Sequence, residues 1–344
     1  MKTIDVDIIH ESILDKNEPL LAFHKDIDYP SWKEEIKKKY IELLGLDVIA
    51  KNACDLHPEI EEVVETDEYT RIRYVFESEK ESLVPCYLLI PKDGQKKHPV
   101  CICLQGHTSG FHVSIGIKKF EQDDMWLETS MYALEAVKRG YAALAIEQRG
   151  FGERMTPRQD RGHAYPTACF HTAMVALLLG RTLIGERVWD VSKAIDTLEM
   201  FSDKLDLNDI SLMGNSGGGT ATYYAACYDQ RIKVALSSCA VCTYRDSIVE
   251  VLHCACNYIP RIAEYMDMGE LACLIAPRKL IICNGELDDI FLLKGTKKVY
   301  KVIEQIYELE NAKNNCKMIV YKDKPHYFDS EIAFGELKKM REMQ

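Results

Sequence analysis

From about residue 97 onward the chain alternates short apolar runs with longer stretches in which apolar residues return every three or four positions. The runs PVCICLQG, YAALAIEQRG, DISLMG, VALSSCAVC, KLIICNG and KMIVYKD read as strands. Between them, DDMWLETSMYALEAVKRG, VWDVSKAIDTLEMFSD and TKKVYKVIEQIYELENAK have the spacing of amphipathic helices. Strands that are apolar throughout, alternating with helices, predict a parallel sheet covered on both faces. In such sheets ligands bind beyond the carboxyl ends of the strands.

Upstream the rhythm differs. Residues 1–65 are charged and mostly helical in pattern. SWKEEIKKKYIELLG predicts a helix with Ser31 as N-cap, Glu34 completing a capping box and Gly45 ending it. YTRIRYVFESEKESLVPCYLLIPKDG predicts two strands around a polar turn, with Ile72, Tyr74 and Phe76 alternating against Arg71 and Arg73. The polar DGQKKH at 93–98 reads as a loop, and no internal repeat or low-complexity tract interrupts the pattern.

Composition narrows the function classes. The chain has 344 residues, enough for one large α/β domain with additions, and at 47% hydrophobic it is not a disordered sequence. A formal net charge of -11 excludes nucleic acid or an anionic membrane as the main partner, since both need a concentrated basic surface. The basic KKKY at 37–40 reads as the solvated face of a helix. The first residues are acidic and lack the apolar core of a secretory signal, and no stretch approaches 18 apolar residues, so a cytoplasmic protein is expected. The 13 cysteines, an odd number scattered through apparent strands, fit buried thiols in a reducing compartment. Cys239-x-x-Cys242 has zinc-like spacing, but the His253-Cys254-x-Cys256 run is too tight for the usual second ligand pair. These cysteines are therefore read as structural.

The chemistry centres on DISLMGNSGGGTATYY, in which Ser216 sits between glycines after a strand and before a helical segment. A triphosphate-binding loop would need lysine after Gly219, where the chain has Thr220; a dinucleotide fingerprint starting at Gly217 would need glycine at 222, which is Thr222. Gly214-Asn215-Ser216-Gly217-Gly218 instead fits the G-x-S-x-G elbow, which presents a serine at the tip of a sharp strand-to-helix turn. A serine hydroxyl becomes a nucleophile only when a histidine takes its proton and a carboxylate holds that histidine. In chain order serine, acid, histidine, the loop NGELDDIF after one strand offers Glu286, Asp288 and Asp289, and KDKPHYF after the next offers His326. Asp288 is favoured as the acid. An imidazole titrates near pH 6.5, so a histidine base implies activity that falls on acidification. For the oxyanion, one amide is expected from Gly217, which follows the nucleophile, and the other from His107 in the loop QGHTSGF. Arg149 is expected to pair with Asp190 and pin its loop, Trp189 to lie in the core, and Cys169 and His171 to be structural.

The segments RVWDVSKAIDTLEMF, GNSGGGTATYYAACYDQRI, NYIPRIAEYMDMGELACLIAPRKLIICNGELDDIF and KPHYF, in this order, resemble the α/β-hydrolase superfamily. Within it they are similar to acetyl xylan esterases, cephalosporin-C deacetylases and dienelactone hydrolases, over roughly residues 80–344. The resemblance implies an α/β-hydrolase fold, a mostly parallel sheet with helices on both faces, spanning 66–344 behind an N-terminal helical extension at 1–65. It implies Ser216 as nucleophile, Asp288 as acid, His326 as base and Gly217 and His107 as oxyanion amides. Dienelactone hydrolases use cysteine as nucleophile, so the serine disfavours that activity. The expected function is a serine carboxylesterase acting on short acyl esters, acetyl above all, with acetylated sugars as one candidate substrate. Such a cycle requires no metal or organic cofactor. A serine peptidase of the prolyl oligopeptidase kind and a non-catalytic binding protein are the alternatives. Two roles are open to the extension, covering the site or joining copies in a homo-oligomer.

Overall fold

The computed structural model describes residues 4–156 and 169–343. Among them a nine-stranded sheet runs in the order β1-β2-β3-β5-β4-β6-β7-β8-β9. Its antiparallel margin comprises β1 (Glu59–Glu65), β2 (Tyr69–Glu79) and β3 (Ser82–Pro91). Here β3 pairs antiparallel with β5 (Ala142–Ile146), and β5 begins the parallel part through β4 (His98–Leu104), β6 (Leu205–Asn215), β7 (Ile232–Ser238), β8 (Lys279–Gly285) and β9 (Cys316–Tyr321). All six apolar runs expected as strands are strands.

Alternation along each central strand sorts side chains between two cores. On β4, Val100, Ile102 and Leu104 enter one cluster, and Cys101 and Cys103 enter the cluster on the opposite face. Both faces are apolar, which is why the strand reads as an uninterrupted run.

The N-terminal helices are α1 (Ile8–Lys16), α2 (Tyr29–Leu44) and α3 (Leu46–Ala50). Residues 59–65, expected within a helical extension, form β1 and pair with β2 through Glu65 and Thr70. Helix α2 starts two residues before the expected cap. Asp28 occupies the N-cap and Pro30 lies in the first turn, where a missing N–H is harmless. Ser31 Oγ instead donates to the Asp28 carboxylate at 2.5 Å. Gly45 does end the helix, at φ 71°. Trp32, Ile36, Tyr40 and Leu44 of α2 are buried in the main core, and Tyr40 donates a 2.6 Å hydrogen bond to the Tyr224 carbonyl.

The expected long helix over 123–140 is broken into α4 (Asp124–Leu127) and α5 (Tyr132–Val137). The Trp126 carbonyl accepts from the amides of Thr129 and Ser130, closing the first piece. The remaining helices are α6 (Phe170–Leu178), α7 (Leu183–Thr197), α8 (Gly217–Tyr228), the short α9 (Ile262–Tyr265) and α10 (Met268–Leu271), α11 (Leu293–Leu309) and α12 (Ser330–Glu342). Helices α2, α7, α8 and α11 cover one face of the sheet, while α5 and α12 cover the other. No helix among the described residues is long and apolar enough to cross a membrane.

Candidate active site

Segments that follow the parallel strands converge at their carboxyl ends: 106–108 after β4, Ser216 after β6, 252–257 after β7, 290–291 after β8 and 326–328 after β9. Ser216 sits between β6 and α8 at φ 55° and ψ −124°, a backbone region that side chains rarely occupy. The flanking glycines answer close approach. A Cβ on Gly214 would lie 2.4 Å from the Gly218 backbone, and one on Gly218 would lie 2.1 Å from the Leu104 carbonyl oxygen. The Ser216 amide donates to the Ser238 carbonyl at 2.9 Å, and the Ser216 carbonyl accepts from Thr220 at 2.8 Å. The elbow is thus tied to β7 on one side and to its helix on the other.

His326 Nδ1 lies 2.9 Å from Asp288 Oδ2. The second carboxylate oxygen accepts from the amides of Ile290 and Phe291, both at 2.9 Å. Burial opposes the charge on Asp288, but the bond to His326, the charge there and the two backbone donors outweigh it, so the carboxyl is held below its usual range. Asp289 is exposed, and Glu286 accepts from the Asp323 amide. Of the three acids, Asp288 alone contacts His326 among the described residues. Phe291 stacks on the His326 ring at 6.1 Å between centroids.

Ser216 and His326 line one cavity of about 380 Å³. Among the described residues no hydrogen bond joins them; such contacts commonly tighten only when substrate is bound. Trp126, Tyr132, Leu252, Phe291 and Phe328 form the apolar walls, and the break between α4 and α5 is what brings Trp126, Thr129, Ser130 and Tyr132 to the cavity. Its lining includes no residue before Gly106, so no described residue of the N-terminal extension lines it.

The loop after β4 presses on the elbow. A Cβ on Gly106 would lie 3.0 Å from the Asn215 carbonyl oxygen and 3.3 Å from the Ser216 Cβ. Gly217 has the His107 ring against it, where a Cβ would meet the ring at 2.9 Å. As the first residue of α8, Gly217 has an amide with no partner inside the helix. The His107 amide meets no protein acceptor among the described residues. Neither of the two amides expected at the oxyanion site is thus taken up by a protein acceptor among the described residues.

Sequence reasoning missed Glu147, which follows β5 and is fully buried. Its carboxylate accepts from Gln105 Nε2 at 2.8 Å and from the amides of Phe111 and Glu153 at 3.2 Å. It thereby holds the loops after β4 and β5 together. The detectable signal was an acid between an apolar strand and the glycine-rich RGFG. Arg149 is absorbed by structure, with Asp190 at 2.9 Å, Glu79 at 2.6 Å and Glu186 at 3.2 Å. Trp189 is buried and donates to the Ser78 carbonyl at 2.8 Å.

A serine elbow, then an acid, then a histidine, in this chain order on strand-end loops of such a sheet, define an α/β-hydrolase. The chain matches the model of the Abhydrolase family over residues 2–327, and it belongs to that family, the N-terminal extension included. It is 27% identical over 246 residues to YtaP of Bacillus subtilis (strain 168), a protein whose name assigns it provisionally to the hydrolases, covering 71% of this chain and 78% of YtaP. Among solved structures it resembles the Bacteroides fragilis NCTC 9343 protein BF1801, provisionally named an acetyl xylan esterase, with TM-score 0.79 and 17% identity over 98% of this chain and 96% of that one. A glucuronoyl esterase from Solibacter usitatus is similar with TM-score 0.66 and 15% identity over 94% and 96% of the two chains. The fold expected from the sequence, and its likeness to that of acetyl xylan esterases, are what these comparisons return.

Proposed function

We propose that the protein is a serine carboxylesterase that cleaves short acyl esters through an acyl-enzyme. The observation that carries this reading is the 2.9 Å Asp288–His326 contact on the rim of the cavity that also holds the strained Ser216. Ser216 Oγ attacks the ester carbonyl while His326 Nε2 takes its proton, and Asp288 stabilises the imidazolium. The amides of Gly217 and His107 receive the charge that develops on the carbonyl oxygen. Collapse breaks the bond to the alcohol, which leaves with the proton from His326. Water then gives a proton to the same imidazole, attacks the acyl-serine and releases the acid.

The cavity, about 380 Å³, lies near the lower end of small-molecule sites, which favours a small ester over a long-chain lipid. The acetyl xylan esterases among the fold neighbours direct the first substrates to acetyl esters, acetylated sugars among them. Hydrolysis of p-nitrophenyl acetate, butyrate and octanoate by the wild type beside Ser216→Ala tests the reading. The expected result is preference for acetate and a loss on the order of 10⁴ or more in the variant. Equal rates for the two proteins would remove Ser216 from the chemistry.

A further inference from the structure

Beside the oxyanion loop, four metal-binding side chains converge that are far apart in sequence. His107, Cys169, Cys254 and Cys256 each offer one ligand atom, and these atoms all lie within 4.8 Å of one another. They arrive from the loop after β4, the start of α6 and the turn at 254–257. The three cysteines are buried. His107 Nε2 lies 3.5 Å from Cys256 Sγ. Two ligands of a tetrahedral zinc ion, at about 2.3 Å for sulfur and about 2.0–2.1 Å for nitrogen, stand roughly 3.5 Å apart, so this edge already has the required length.

A second observation points the same way. Arg187 of α7 is fully buried, at 1% exposure, and no carboxylate lies within ion-pair distance of it among the described residues. Its Nε and Nη2 donate to the Arg149 carbonyl, Nη2 also reaches Cys169 Sγ at 3.3 Å, and Nη1 has no partner. The guanidinium lies over the Phe151 ring, 4.2 Å from its centroid, but a buried cation with no anion beside it is still costly. Three thiolates around a divalent ion carry one net negative charge, which is what the single guanidinium would balance. Neutral thiols are weak donors and acceptors, and would leave both Arg187 and the imidazole poorly matched.

We infer that His107, Cys169, Cys254 and Cys256 form a closed, tetrahedral Cys₃His site for zinc or a similar thiolate-preferring divalent ion. Four protein ligands leave no open position, so the ion is structural and takes no part in ester cleavage. The site staples the loop carrying the His107 amide to the segments at 169 and 254–257. Asn257 continues the tie by accepting from Thr220 of α8 at 3.2 Å. This replaces the structural reading of these cysteines drawn from spacing. Cys239 and Cys242 are not members, their thiols donating to the carbonyls of Tyr327 at 3.3 Å and Leu292 at 3.5 Å. The inference does not depend on the role of Ser216.

The test is elemental analysis of full-length protein, purified under reducing conditions from zinc-supplemented cells and without a metal-affinity tag. About one zinc per chain is expected. Chelator-stripped protein given Co²⁺ is expected to show thiolate-to-cobalt charge transfer and the intense visible bands of tetrahedral cobalt. Cys254→Ser and Cys256→Ser lose both signals, and Cys316→Ser retains them. Protein that is metal-free as isolated and gives no such cobalt spectrum overturns the site, as does a disulfide between any two of the three cysteines in protein isolated without reductant. The wild-type cobalt spectrum decides the matter even if the variants fold poorly.

Discussion

Asp288 and Asp289 are neighbours in the chain with opposite fates: the first is buried 2.9 Å from the His326 ring, and the second faces solvent. Asp288→Asn keeps the shape but no longer holds the imidazole in the useful tautomer, and is expected to lower kcat by about 10⁴. Asp289→Asn is expected to stay within about twofold of wild type, since surface changes away from such contacts have small effects. Steady-state kinetics on p-nitrophenyl acetate separate the two, and a reversed order would move the acid to Asp289.

Gly106 gives a second handle. An alanine there places its methyl 3.0 Å from the Asn215 carbonyl oxygen and 3.3 Å from the Ser216 Cβ, so the loop must retreat from the elbow. Because small displacements of oxyanion donors cost on the order of 10² in rate, Gly106→Ala is expected to lose about that much in kcat with KM less affected. Full activity in the variant would show that the amide of His107 is not used.

The Asp190 cluster sets an acid limit on stability. Burial opposes its charge, but Arg149, Arg154 at 2.6 Å and the Ser78 hydroxyl at 2.6 Å hold the carboxyl well below the usual range. As pH falls the unfolded chain therefore takes up this proton first, near pH 4. The contribution is complete above that value and is lost as pH falls through the lower folded-state pKa. Asp190→Asn is expected to reduce stability by roughly 3–5 kcal/mol at neutral pH and to flatten the acid slope. Melting temperatures between pH 3 and 7 check it; an unchanged slope would place the acid sensitivity elsewhere.

The N-terminal helices are part of the body. Tyr40 on α2 is buried and its hydroxyl serves the Tyr224 carbonyl. Tyr40→Ala is expected to cost about 3–5 kcal/mol from the cavity and the orphaned carbonyl together. Thermal unfolding measures this, and a loss under about 1 kcal/mol would mean that α2 contributes little to the fold.

The parallel sheet was legible because each central strand is apolar on both faces, and the elbow because its glycines meet backbone at under 3 Å on either side of Ser216. Asp288 was narrowed but not isolated by sequence, since its neighbour has the same chemistry and only burial separates them. The start of α2 was misplaced because a serine with a glutamate three residues on mimics a cap, while Asp28 and Pro30 just upstream set the true one. The break at 128–131 was invisible to periodicity, because Thr129 and Ser130 interrupt the helix through backbone bonds to Trp126. Nor could spacing reveal the cluster of His107, Cys169, Cys254 and Cys256, whose members span 149 positions between His107 and Cys256. Glu147 escaped for a related reason: apart from Gln105 its partners are backbone amides, which leave no mark on side-chain patterns.

The φ of 55° at Ser216 has a consequence for how this sequence came to be chosen. Glycine adopts that backbone without penalty, whereas a side chain there costs about 1–3 kcal/mol. Ser216→Gly is therefore expected to melt higher than the wild type while doing no chemistry, and higher than Ser216→Ala, which keeps the strain. Selection for durability alone would have settled on glycine at this position; under the nucleophilic role proposed for it, the serine is a standing concession of robustness to reactivity.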